Sequence, residues 1–426
     1  MGGFLKRCSL LGIALVLGAG VAACGSDSSD SSSSSGSSGS TSASSDSGGG
    51  RSLACRDGSI TVGMDMADSG SGSFFDLAGR RGLLVAIDQI NASGGIKGCR
   101  LKVISADMKS DPAVGATVAK SLLDQGAQIL FVPDDFDLGI AAARAGQEAG
   151  ALTLSSAASS TQFGRAVGDL FFNAGITTIE LGLAQGRYAL DQGYRTAFQV
   201  IDAGGAYFTE QDPTFRKVFE AGGGRVVGSD KVDSIGGQSD YASTISKIKS
   251  TRPDVIQALA AFPGVGTFVK QLRAAGITTP VLGNVTLDTQ ELPKLVGRAQ
   301  SNDLAFAVQV YFSGAGTDPR TDPEILRFTQ AYQRKFGHFP EQANAPESYQ
   351  MMLAIAEALK QRDVTDAKTA ADAIRAQRNV RVPGGTLLRW QDGYAVWNPV
   401  IVGIDGGEFR QLDTYDAGEL RSANGY

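Results

Sequence analysis

From Ile60 onward, short apolar runs alternate with amphipathic helical segments, and that alternation restricts the chain to parallel β-sheet covered by helices on both faces. Candidate strands lie at 60–64, 101–105, 129–132 and 152–154, then at 196–201, 225–229, 255–259 and 280–282. Two sets of strands predict an α/β protein of two lobes, and no all-β arrangement is compatible with the intervening helices. Asp111-Pro112, Asp212-Pro213 and Asp322-Pro323 each read as an N-cap followed by proline in the first turn, so these pairs mark helix starts, not chemistry. Further helices are predicted over 348–361 and 367–375. The stretch 384–413 changes character, with strands predicted at 386–390 and 396–404 between glycines, as an antiparallel edge would have.

The N-terminus bears on location. Lys6 and Arg7 precede an apolar run at 10–21 that closes on Ala22 and Ala23, the grammar of a secretory signal, and the run is shorter than the ~20 residues a membrane span needs. The stretch V-A-A-C at 21–24 resembles the bacterial lipobox. That resemblance implies a signal peptide over 1–23, cleavage before Cys24, thioether lipidation of Cys24 and a home on the extracytoplasmic face of the cell membrane. The alternative is an ordinary cleaved signal with an incidental cysteine. Residues 24–52 are nearly all Ser, Gly, Asp and Thr, cannot offset the entropy of ordering, and read as a flexible tether. Downstream, a net charge of −5 without a basic cluster leaves no footprint for nucleic acid.

Of four cysteines, Cys8 leaves with the signal and Cys24 carries lipid, so Cys55 and Cys99 remain. Each sits just before a candidate strand, and neighbouring parallel strands bring their starts together. In an exported protein this predicts a Cys55–Cys99 disulfide.

Catalytic chemistry is sparse. The only histidine is His338, in a Phe-Gly-His-Phe-Pro turn. There is no nucleophile elbow, phosphate-cradling loop, or zinc-ligand spacing, so neither an enzyme nor a cofactor or metal protein is predicted.

The opening "ITVGMDMADSGSGSFFDLAGRRGLLVAIDQINASGGIKGCRLKVISADMKSDP" and "EAGALTLSSAAS" at 148–159 resemble type 1 periplasmic binding proteins, in particular the leucine/isoleucine/valine-binding branch. Weaker similarity continues through "DYASTISKIKSTRPDVI", "VKQLRAAGITTPVLG" and "YQRKFGHFPEQANAPESYQMMLAIAEAL". The resemblance implies two doubly wound lobes joined by three crossings, lobe 1 at 57–175 with 311–388 and lobe 2 at 176–310 with 389–426. It also implies a small polar solute, amino-acid-like or an amide, held in the interlobe cleft, hinge closure around it, and ABC permease subunits as partners of a monomeric head. A sensor passing closure to a membrane receptor would use the same cleft.

The same resemblance carries site residues. Ala157, Ala158 and Ser159 fall at the family's contacts to a ligand ammonium and carboxylate. Ser73 and Phe75 fall in the first loop, Tyr207 near the family's tyrosine, Phe262 beside another aromatic, and Asn284 in the lobe-2 loop. Two departures stand out: Phe136 occupies the place of a small hydroxyl residue, and Val285 that of an acid. In the loop after the third strand, Asp134, Asp135 and Asp137 either meet a cationic group, with Asp135 the ligand contact, or cap the next helix through Asp137.

Overall fold

The computed structural model describes residues 50–315 and 318–426, so the signal, Cys24 and the tether up to residue 49 lie outside the described residues. The chain first builds β1 (Ser59–Met66), α1 (Ser73–Ala92), β2 (Arg100–Asp107), α2 (Pro112–Asp124), β3 (Ile129–Val132), α3 (Phe136–Glu148), β4 (Leu152–Ser155), α4 (Thr161–Val167) and β5 (Phe171–Asn173). It crosses to a second lobe for α5 (Thr178–Asp191), β6 (Thr196–Asp202), α6 (Ala206–Ala221), β7 (Arg225–Val232), α7 (Ala242–Thr251), β8 (Val255–Leu259), α8 (Gly264–Ala274), β9 (Val281–Gly283), α9 (Leu292–Val296) and β10 (Leu304–Val308). The first lobe then receives α10 (Pro323–Phe336), α11 (Asn344–Leu359), α12 (Ala367–Ala376), β11 (Arg378–Val382), β12 (Gly385–Gln391) and β13 (Tyr394–Trp397). A last crossing returns β14 (Val400–Asp405), β15 (Glu408–Thr414) and α13 (Ala417–Ala423) to the second lobe.

Each lobe is wound on one sheet, with strand order β11-β12-β13-β5-β4-β3-β1-β2 in the first and β15-β14-β10-β9-β8-β6-β7 in the second. The inner strands run parallel, and antiparallel hairpins finish one edge of each sheet. This is the predicted architecture, with its three crossings. β3, β4, β8 and β10 are buried along their whole length, as strands covered on both faces must be. Helices lock close to the first sheet: a Cβ on Gly82 of α1 would lie 1.9 Å from the Ala345 carbonyl oxygen of α11, so that approach requires glycine.

Caps at Asp111 and Asp322 behave as predicted, accepting from Ala113 N at 2.8 Å and from Glu324 N at 2.7 Å. The Asp212-Pro213 prediction is corrected. α6 begins at Ala206 and Pro213 lies inside it, because the burial of Phe208 ahead of the proline extends the helix backwards. The edge is corrected too: the predicted strand 396–404 is split, with β13 pairing to β5 in the first sheet and β14 to β10 in the second. The lobe boundary expected at 388/389 therefore falls inside β12, and the chain leaves lobe 1 only after Trp397, whose Nε1 donates to Ala174 O at 2.7 Å. Residues 50–52, expected within the tether, are held to the head. Arg51 donates from Nη1 to Leu123 O and Ala127 O, and its backbone N to Gly150 O at 2.6 Å. Cys55 and Cys99 form the predicted disulfide beside the parallel β1–β2 pair, with a Cα–Cα distance of 5.8 Å. No helix of the described residues is long and apolar enough to cross a membrane.

Candidate functional site

Parallel strands deliver their following loops and the next helices' first turns to one end of the sheet, and here those ends face one another. Between them lies a chamber of about 70 Å³. Lobe 1 lines it with Phe75, Asp134, Asp135, Phe136, Ala157, Ser159, Ser160 and Asn344, and lobe 2 with Tyr207, Phe208, Ile235, Ala261 and Val285. An outer vestibule of about 600 Å³ shares Phe75, Asp135, Ile235 and Ala261 with it and continues past Phe74, Asp137 and Phe262.

The lobes touch across this gap. Phe74 of α1 stacks on Phe262 of lobe 2, with centroids 5.7 Å apart and planes 21° from parallel. Asp137 Oδ2 accepts from Ala206 N, the first amide of α6, at 3.2 Å. Deeper, Glu210 of α6 accepts from Ser160 Oγ and Gln162 Nε2, both at 2.7 Å, from Thr161 N at 3.3 Å, and from Thr178 Oγ1 at 2.8 Å. Ser160 to Gln162 belong to lobe 1, so this carboxylate ties the two lobes beside the chamber.

Two acids, Asp134 and Asp135, stand in the chamber's polar wall beside Ser159, Ser160, Tyr207 and Asn344. Asp134 is buried, and its Oδ1 accepts from Ser156 N at 3.0 Å, Ser156 Oγ at 2.8 Å and Ala157 N at 2.9 Å. Asn344 donates to its Oδ2 at 3.2 Å. Asp76 lies behind it, accepting from Ala67 N and from Asp134 N. Burial, reinforced by the neighbouring Asp134 carboxylate, pushes the Asp76 pKa well up. Asp135 is pushed up to about 6, chiefly by burial. The Tyr207 hydroxyl is buried without a well-formed hydrogen bond, and burial raises its pKa. Glu347 of α11 is likewise buried, with Oε1 unpartnered and its pKa raised well above the usual carboxylate range by burial. No group of acids, cysteines or histidines among the described residues is gathered closely enough to hold a metal.

Of the residues predicted to form the site, Phe75, Asp135, Phe136, Ala157, Ser159 and Tyr207 line the chamber together, and Phe262 stands at its mouth. Three do not. The Ser73 hydroxyl turns back to Gly70 O at 2.7 Å, closing its own turn. Ala158 faces inward to the cluster around Phe163 and Phe171. Asn284 is fully buried as the cap of a short 3-10 turn, accepting from Thr286 N at 3.0 Å and leaving Val285 to face the chamber. The helix after β3 is capped by Asp135, which accepts from Leu138 N at 3.0 Å, and not by Asp137, which reaches across to lobe 2. Sequence reasoning passed over Phe74, Ser160, Phe208, Ile235 and Asn344. Phe208 adjoins Tyr207 and Phe74 adjoins Phe75, so proximity was a usable signal there; Asn344 arrives from a distant helix and had none.

Comparison with known proteins agrees with this geometry. Residues 59–407 match the family model described as periplasmic binding protein. The Leu/Ile/Val-binding protein homolog 1 of Brucella suis biovar 1 is 23% identical over 354 residues, covering 78% of this chain and 91% of its own. Among solved structures, the branched-chain amino acid transporter substrate binding protein LivJ from Streptococcus pneumoniae, in complex with isoleucine, superposes with a TM-score of 0.73 at 21% identity, covering 84% of this chain and 99% of its own. A solute binding protein of an R. palustris ABC transporter, in complex with benzoate, gives 0.71 at 21% identity, covering 84% and 96%.

Proposed function

The chain belongs to the periplasmic binding protein family, whose members here are solute-binding proteins of transporters and not enzymes, and from that premise we propose that it is the solute-capturing lipoprotein of an ABC-type uptake system. Its solute is small and polar, amino-acid-like or an amide, and is held in the interlobe chamber. The observation that carries this reading is a cavity whose walls come from both lobes, since such a cavity exists only while the lobes are together and a solute inside it stabilises closure. Closure then presents a changed surface to permease subunits in the membrane. Lipidation at Cys24 keeps a monomeric head at the extracytoplasmic face, and a Cys24→Ser variant is expected to leave the membrane fraction.

A thermal-shift screen over amino acids, amides, polyamines and aromatic acids tests the solute-binding role. A ligand that binds only the folded chain adds about 2.7 kcal/mol at a hundredfold excess over Kd, enough to move the melting temperature visibly. At least one class is expected to do so. A flat response across all four contradicts the reading.

A further inference from the structure

The chamber's charge arrangement separates the ligand classes that the family fold alone leaves together. Neither the chamber nor the vestibule is lined by an arginine, lysine or histidine, while Asp134, Asp135 and Asp137 line one or both. Without a basic side chain, a carboxylate is ordinarily held at helix N-termini, where unpaired amides and the helix dipole favour negative charge. Three of those positions beside the chamber are already filled from within. Asp135 caps α3, Glu210 takes Thr161 N at the start of α4, and Asp137 takes Ala206 N at the start of α6. The first turn of α1 has no side-chain cap, and the Asp76 carboxylate within it is bonded instead to Ala67 N and Asp134 N. At the three filled positions, an incoming carboxylate would have to displace the acid already there or sit as an added negative charge in a confined apolar space, with only Ser159 and Tyr207 among the chamber's lining side chains having a hydroxyl without a well-formed hydrogen bond.

A cation meets the opposite situation. Aromatic rings from both lobes, Phe75, Phe136, Tyr207 and Phe208, wall the chamber, and their faces attract a desolvated ammonium. Asp135 faces both the inner space and the vestibule, and the buried Tyr207 hydroxyl has no well-formed partner of its own.

We infer that the solute is a cationic amine on a small apolar or aromatic body, lacking a carboxylate, with its ammonium seated against Asp135 inside the aromatic wall. This rests on the solute-binding role proposed above and puts an amine in place of the amino-acid-like or amide solute that the resemblance implies. Calorimetry and thermal shift with three compounds of one carbon skeleton separate the possibilities: phenethylamine, 3-phenylpropanoate and phenylalanine, with isopentylamine, 4-methylpentanoate and leucine as an aliphatic set. The amines are expected to bind at least about tenfold more tightly than the matching acid and amino acid. An acid or amino acid binding as tightly as its amine overturns the inference while leaving the transport reading intact. So does silence from both sets when another compound of the broad screen binds; silence everywhere removes the transport reading as well. Asp135→Asn keeps the helix cap, because asparagine caps as well as aspartate, and removes the charge. Its melting temperature without solute is expected to stay near the parent's, while amine affinity falls about 10- to 100-fold. Unchanged amine affinity would rule Asp135 out as the ammonium's partner.

Discussion

Asp288 has no solvent exposure and neither carboxylate oxygen in a well-formed hydrogen bond, so burial pushes its pKa up to about 8, with only the Ser313 hydroxyl nearby to offset it. The folded chain therefore keeps a proton on Asp288 between about pH 4 and pH 8 while the unfolded chain releases it, and stability falls as pH rises through that window. The slope from one such group reaches about 1.4 kcal/mol per pH unit. Asp288→Asn, neutral at every pH, is expected to match the parent near pH 4 to 5 and to melt progressively higher than it toward pH 8. A gap between the two melting curves that stays constant with pH would mean Asp288 is ionised in the folded chain. Single residues were unevenly legible in the sequence. Asp135 and Ser159 lie in loops that directly follow strands and Phe75 in the first turn of α1, and for Phe75 and Ser159 it was the family resemblance that pointed to the cleft. Ser73 opens α1 and Asn284 follows β9, yet their side chains close local turns, a choice made by backbone geometry that residue type does not record. Asp135 and not Asp137 caps α3 for the same reason, since a two-residue difference in where the helix begins decides which carboxylate meets its first free amides.

At the scale of elements, closure depends on what α1 and the loop after β8 bring to the mouth. Phe74 sits in the first turn of α1, and Phe262 just past the last strand residue of β8, so their stacking is a direct report on whether the lobes are shut. An aromatic pair contributes about 0.5–1.5 kcal/mol beyond its area. Phe262→Ala is expected to weaken affinity for any solute found in the screen by roughly 3- to 10-fold through faster release, measured by stopped-flow or surface-immobilised dissociation, and to leave the melting temperature of the empty protein nearly unchanged. An unaltered release rate would place the closing contact elsewhere, with Glu210 the next candidate. Elements with strong periodicity or an Asp-Pro start were legible; those made by tertiary burial were not. α6 runs through Pro213 because Phe208 and Phe215 bury on the same helix, overriding a local signal that favours a start at the proline. β5 has only three residues, too few for a pattern, whereas the apolar run of β10 offered a signal that the strand reading passed over. β13 and β14 are separated by only two residues, and nothing in their composition says that they serve different sheets.

The head is two sheets whose strand ends look at each other; the two strand sets follow from counting strand–helix units, and their facing follows from the family resemblance. What did not follow is the interior of the gap, because each chamber wall gathers residues from across its lobe, from Phe75 to Asn344 on one side and from Tyr207 to Val285 on the other. The central claim is that this gap is where a solute binds. Ala261 lines both chamber and vestibule and is only partly buried, so a larger side chain there fills the gap without entering either core. Titration calorimetry of the parent and of Ala261→Trp with the best compound from the screen is the direct test. One solute bound per chain by the parent, and none by a variant that melts at the same temperature, is the predicted result; undiminished binding by Ala261→Trp would contradict the account.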